Sequence, residues 1–259
     1  MSSNDSTQKT LIVAFVLCVV CSIIVSMSAV MLKPAQVANK EEDLKKNVLQ
    51  AAGMYDESKS VAEQFKSFSV KIVDLDTGKF TDAIENVDTY DQLKAAKDPQ
   101  RSEDLNDEQD VAKISRREKY AKVYLLEGDQ GFDRVVLPIR GYGLWGTLYG
   151  FLALQSDANT VIGIGYYDHK ETPGLGGEVD NDKWKSLWAG KEIYDADGDV
   201  EFSVIKGSVD KEGDPNAKHK VDGLSGASLT SRGVQNMIHF WMGENGYAKF
   251  LDNLRNGEA

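Results

Sequence analysis

Thr147-Leu148-Tyr149-Gly150-Phe151-Leu152-Ala153-Leu154-Gln155-Ser156-Asp157-Ala158-Asn159-Thr160-Val161-Ile162-Gly163-Ile164-Gly165-Tyr166-Tyr167 reads as two strands and the turn between them. The flanking runs are apolar, aromatic and β-branched, while Ser156-Asp157-Ala158-Asn159 supplies side chains that bond their own backbone. Upstream, Ala121 to Leu126 and Arg134 to Arg140 flank Gly128-Asp129-Gln130-Gly131, a second hairpin signal. Two successive hairpins predict an antiparallel sheet. Val200 to Lys206 offers another strand, and Val70, Ile72 and Leu75 before Asp76-Thr77-Gly78 look like one entering a turn. Downstream, Val234, Met237, Ile238 and Trp241 recur at i, i+3, i+4 and i+7, so a helix from about Ser231 to Gly243 presents one apolar face to that sheet. The expected class is α+β, an antiparallel sheet with packed helices.

That helix is preceded by Asp222-Gly223-Leu224-Ser225-Gly226-Ala227-Ser228-Leu229-Thr230-Ser231, a row of hydroxyls at a helix start. Ser231 or Thr230 can cap the first turn, and the free N–H groups there can hold a phosphate. A Ser/Thr-rich capping turn is the plain reading. A second reading is a nucleophile elbow, but Ala227 stands where G-x-S-x-G needs glycine, and His169, His219 and His239 are in no triad context. A third is flavin attachment: the stretch resembles the D-x-x-[ST]-G-A-[ST] signature on which flavin transferases esterify FMN through its phosphate. The resemblance makes Asp222 the head of the motif and Ser228 the acceptor, with Thr230 as the backup. Most members carry Thr at that position; Ser keeps the hydroxyl and loses the methyl that stiffens χ1.

From Leu11 to Leu32 the chain runs 22 residues without a charge and ends at Lys33-Pro34, long enough to cross a hydrocarbon core. The run is too long for a signal peptide's apolar region, and Ser28-Ala29-Val30 is a poor cleavage site, so a retained membrane anchor is expected. Lys9 precedes it while Lys33, Lys40, Lys45 and Lys46 follow, which leaves its sidedness open. Both cysteines, Cys18 and Cys21, lie inside this segment, so the remainder has no disulfide and no thiolate metal site. A net charge of −11 argues against nucleic acid and anionic lipid head groups as partners. Residues 33–67 read as a helical connector, with Leu44, Val48, Leu49, Ala52, Val61 and Phe65 near helical spacing and Gly53 interrupting, and residues 68–259 as one soluble domain. Asp91 to Lys119 alternates charges as a solvated helix would, with a mobile stretch near Asp98-Pro99.

Two further stretches are loops rich in glycine. Gly141-Tyr142-Gly143-Leu144-Trp145-Gly146 isolates an indole where it can pack on a flat ring or fill a core. His169-Lys170-Glu171-Thr172-Pro173-Gly174-Leu175-Gly176-Gly177-Glu178 closely resembles the E-T-P-G-L-G loop of FMN-binding domains. The anchor, these two loops, the Asp222–Ser228 motif and the Trp241-Met242-Gly243-Glu244-Asn245-Gly246-Tyr247 ending follow one family's order, so the chain resembles the C subunits of sodium-translocating NADH:quinone oxidoreductases.

The resemblance implies a covalent FMN lined by Trp145, Glu171, Thr172, Leu175, Gly176, Ser225, Gly226, Ala227, Leu229 and Thr230. Thr172 would hydrogen-bond the ring's polar edge, Leu175 would pack on its face, and Glu171, if close, would disfavour negative charge on it. It further implies an electron carrier with no catalytic acid or base and no metal. Such a carrier would relay electrons from an iron centre in membrane subunits to the FMN of the B subunit, with residues 1–10 cytoplasmic and the soluble domain outside the bacterial inner membrane. A flavin transferase would attach the cofactor. The alternatives are the G subunit of an Rnf-type complex, a membrane-anchored serine hydrolase, and a non-redox assembly module.

Overall fold

The structure, a computed structural model, describes residues 6–128 and 131–259. Residues 1–5 of the expected cytoplasmic N-terminus, and Asp129-Gln130 of the expected turn, lie outside the described residues. The chain divides into two compact units, residues 1–43 and 44–259. The first is the helix α1 (Thr7–Ala51) up to Asp43. By length and composition α1 is able to cross a membrane, and every large apolar side chain from Leu11 to Leu32 is exposed.

The second unit is built on a six-stranded antiparallel sheet. Its strands are β1 (Phe68–Asp74) and β2 (Lys79–Phe80), then β5 (Tyr120–Gly128), β6 (Gly131–Tyr142), β7 (Thr147–Gln155) and β8 (Val161–Asp168), with β3 (Ser102–Asp104) and β4 (Arg116–Glu118) forming a separate ribbon between them in sequence. The order across the sheet is β2-β1-β5-β6-β7-β8. Both predicted hairpins are present. In the second, Asp157 Oδ1 accepts from the N–H groups of Asn159 and Thr160, the Asx chemistry expected of that turn. β6 keeps pairing with β7 to Tyr142, but its pairing with β5 is over at Val136, and Pro138, which has no N–H to give, lies just beyond.

Side chains alternate between two cores, because successive strand residues face opposite sides. Val135, Leu137 and Ile139 of β6 join Leu148, Leu152 and Leu154 of β7 in the larger core, with Val234, Met237, Ile238 and Trp241 of α5 (Ser228–Met242). The i, i+3, i+4, i+7 face thus packs where the periodicity placed it. Trp241 Nε1 donates to Arg140 O at 2.7 Å, and Tyr247, just before α6 (Ala248–Asn256), donates to Pro138 O at 2.9 Å.

On the other face, Val136, Phe151 and Ala153 pack with Tyr124 against Val48, Leu49, Ala51 and Ala52. The last turns of α1 are therefore core, and the compact unit starts at Leu44, not at residue 68. The apolar spacing of Leu44 to Ala52 is satisfied by the sheet, so this stretch does not stand the domain off as a connector. Gly163 in β8 has no Cβ because one would lie 2.7 Å from Ala51 O. Gly53, at φ +66°, ends the helix as a left-handed cap, with Met54 N donating to Leu49 O at 2.8 Å. After it, α2 (Val61–Phe65) is capped by Ser60, whose side chain accepts from Glu63 N.

The charged run from Asp91 to Lys119 is not the expected solvated helix. It holds only the single turn α3 (Gln92–Ala95) and then the β3–β4 ribbon. The ribbon is held by buried charges that a surface helix would leave in water. Arg117 bonds Glu103 at 2.9 Å and also pairs with Asp76, and Arg140 bonds the fully buried Glu118 at 2.9 Å and Arg116 O at 3.0 Å. Of the expected strand Val200 to Lys206, β9 covers only Ser203–Ile205, with Val200 in an isolated antiparallel bridge to Tyr194; β9 pairs in parallel with β10 (Lys220–Asp222), and α4 (Asp182–Lys185) lies between β8 and β9 in sequence.

Candidate functional site

Three stretches distant in sequence meet beside the N-terminus of α5. The first is the loop after β6, closed by Gly143 N donating to Gly146 O at 2.8 Å. Helix α5 lies against it at Gly233, where a Cβ would fall 2.4 Å from Tyr142 O. The second, after β8, is a type II turn: Leu175 N donates to Thr172 O at 3.1 Å, with Pro173 second and Gly174 third at φ +74°. The third runs from β10 into α5, with Gly226 at φ +71°, and a Cβ on Gly226 would meet Leu175 Cδ2 at 3.1 Å.

The convergence leaves apolar side chains in the open. Trp145 is 64% exposed and Leu175 45%, with Leu144, Leu229 and Tyr142 also uncovered. Outside the apolar stretch of α1, large apolar side chains so exposed are few among the described residues, and a group of them around a helix start is the mark of a binding face. A cleft lined by Ser186, Leu187, Lys191, Lys211 and Lys218 contains none of these residues.

Ser228 is exposed at the first position of α5, and Ser225 is exposed before it. Neither Ser231 nor Thr230 caps the helix as expected, since it begins at Ser228 with Ala227 at the cap position and no side-chain cap bond. Ser231 turns inward, accepting from Leu224 N at 2.9 Å and donating to Ala227 O at 3.2 Å. Thr230, only 1% exposed, donates to Glu171 Oε2 at 2.6 Å. Asp222 Oδ1 accepts from Val209 N and its carbonyl from Trp184 Nε1, both at 2.8 Å, so it fixes the entry to the turn.

Glu171 is the residue whose place differs most from expectation. It lies behind the patch, 5% exposed, and its other oxygen, Oε1, accepts from Leu144 N at 2.9 Å and Trp145 N at 3.0 Å. Burial alone would raise its carboxyl, but donation from Thr230, Trp145 and Leu144 outweighs that and holds it below the usual carboxylate range. Thr172 keeps an exposed side chain while its carbonyl accepts from Leu175 and Gly177, and Gly176 is buried against Glu171 and Thr230.

Sequence reasoning missed His169 and Asp180. Glu171 N donates to His169 Nδ1 at 3.2 Å, so the ring proton sits on Nε2, which is 2.8 Å from Asp180 Oδ2. Only the position of His169, two residues before Glu171, hinted at this. None of the three histidines bonds Ser225: His219 faces Glu192 O and His239 faces Phe202 O, so the elbow has no base.

Comparison with known proteins bears on the same residues. A model of the family described as "FMN-binding domain" matches residues 143–243, which span all three stretches. The chain is 53% identical over 263 residues to the C subunit of the Na(+)-translocating NADH-quinone reductase from Pseudomonas aeruginosa, covering 100% of both chains. It is 45% identical over 258 residues to the protein of that name from Vibrio alginolyticus, covering 99% of this chain and 98% of the other. The crystal structure of Shewanella oneidensis NqrC superposes with a TM-score of 0.77 at 38% identity, covering 85% of this chain and 99% of that one.

Proposed function

Because the chain belongs to the family of C subunits of the Na(+)-translocating NADH-quinone reductases, we propose that its patch holds one FMN esterified through phosphate to Ser228. The protein is an FMN-carrying member of that oxidoreductase complex, works among its other subunits, and carries an apolar helix consistent with anchoring in a membrane.

One observation carries the site reading: an exposed hydroxyl stands at an uncapped helix start beside an exposed indole and leucine. The chain's residues suit the group. The unbonded N–H groups and positive end of α5 favour a phosphate next to Ser228. Trp145, Leu175 and Leu229 offer apolar surface to a flat ring and would keep water from it. Thr172 is exposed, and its hydroxyl would be the one to meet the ring's polar edge. When bound, FMN supplies reversible acceptance and release of electrons. Glu171 bonds within the protein, and no acid or base is assigned to the patch.

In this reading the domain lies outside the inner membrane, the electrons come from an iron centre of the membrane subunits and leave for the FMN of the B subunit, and a flavin transferase loads Ser228. Peptide mass spectrometry of chain made with a flavin transferase should locate the adduct on Ser228. Flavin on Thr230, or full occupancy in Ser228→Ala, would overturn the assignment.

A further inference from the structure

Glu171 is a buried carboxylate that the flavin reading leaves without a task, yet its hydrogen bonds join all three stretches. Its Oε1 receives two backbone N–H groups of the Trp145 loop, its Oε2 receives Thr230 of α5, and it belongs to the loop of Leu175. Its own N–H is fixed by His169, which Asp180 holds in turn. Space around it is as specific as its bonds: a Cβ on Gly143 would lie 2.5 Å from Oε1, and one on Gly176 would lie 2.5 Å from both Oε2 and Thr230 Oγ1.

We propose, resting on the flavin reading above, that Glu171 is a positioning residue whose carboxylate sets the spacing between Trp145 and the Ser228 turn, and that Gly143 and Gly176 are glycines because it fills the room of their missing Cβ atoms. Bonds from several N–H and O–H donors to one charged acceptor are each stronger than neutral ones and leave the group a single position. Trp145, largely uncovered, stands on a loop whose Leu144 and Trp145 N–H groups both bond this one oxygen. The patch is thereby shaped before any cofactor arrives.

The test uses the full-length chain in detergent, made with a flavin transferase, in its wild-type form and as Glu171→Gln, Thr230→Val, Thr230→Ser and Trp145→Ala. Flavin emission is read before and after denaturation on the same sample, so the ratio is independent of loading. An indole held on the ring quenches the native emission, so Trp145→Ala should raise the ratio. Glu171→Gln and Thr230→Val should raise it too and change the flavin's visible circular dichroism, with the ester retained. Thr230→Ser, which keeps the hydroxyl, should restore the wild-type signals. Exchange of the Leu144 and Trp145 amides should quicken about tenfold or more in Thr230→Val, the scale of one charge-assisted bond.

If Trp145→Ala raises the ratio while Thr230→Val and Glu171→Gln match the wild type, the positioning role is wrong and the flavin reading stands. If Trp145→Ala leaves the ratio unchanged, the ring is not on Trp145 and both fall. Should Glu171→Gln fail to fold, the Thr230 pair decides alone, since Val differs from Thr by little more than the hydroxyl.

Discussion

Leu49 tests whether the C-terminal turns of α1 belong to the domain core. It is 0% exposed, among Val48, Ala52, Tyr124, Val136 and Phe151. Leu49→Ala removes the side chain's transfer free energy and leaves a cavity walled by the sheet and its own helix, which costs about 2.7–5 kcal/mol. In a domain of some two hundred residues each kcal/mol moves Tm by about 2–4 °C, so a fall of roughly 5–20 °C is expected. The assay is thermal unfolding of the full chain in detergent, followed by near-ultraviolet circular dichroism of the domain's tryptophans. Leu17→Ala is the control, because Leu17 is 61% exposed in the apolar run. Gly163→Ala approaches the same contact from the sheet, where a Cβ would press on Ala51 O, and should also lower Tm. A Leu49→Ala midpoint within about 2 °C of wild type, under about 1 kcal/mol, would refute the packing and return residues 44–52 to the role of spacer.

Glu118→Ala leaves Arg140 buried without its carboxylate and should cost about 3–5 kcal/mol in denaturant unfolding, most of it recovered by Glu118→Met with Arg140→Met; an equal loss in the double variant would contradict the ion-pair account. The Glu171 carboxyl is held below its ordinary 4.5, so its contribution is complete above about pH 4.5 and is lost as pH falls through the lower folded value. Wild type should therefore lose stability on acidification more steeply than Glu171→Gln, and superimposable acid limbs would remove the effect. For the proposed topology, alkaline phosphatase fused after Ala259 should be active; an inactive fusion paired with a fluorescent cytoplasmic reporter would reverse it.

The parts of the fold readable in sequence are those whose cause is local. The Ser156–Asn159 turn bonds its own backbone, and the apolar face of α5 is set by its period, so both stand where the residues put them. Leu44 to Ala52 carried the right helical pattern but not its destination, since only the sheet, formed from residues far downstream, tells a buried helix end from a spacer. The Asp91–Lys119 run misled for the converse reason: Arg117 and Glu118 look like surface charges until Asp76, Glu103 and Arg140 arrive from other elements. The proposed site residues were picked out as motifs, whereas the burial of Thr230 and the inward turn of Glu171 depend on contacts across 59 positions of chain.

The run from Asp222 to Ser231 displays four hydroxyls in sequence, but the folded chain shows only two of them to solvent. Thr230 is engaged with Glu171, and Ser231 is bonded to Leu224 and Ala227. An unfolded peptide would offer all four with nothing to rank them. Under the proposed attachment at Ser228, an enzyme that esterifies this run in the native protein meets a substrate that has already discarded most of its wrong answers, so acting on folded chain would ask less selectivity of the enzyme itself. Loading errors should then be a symptom of misfolded chain rather than of a careless transferase.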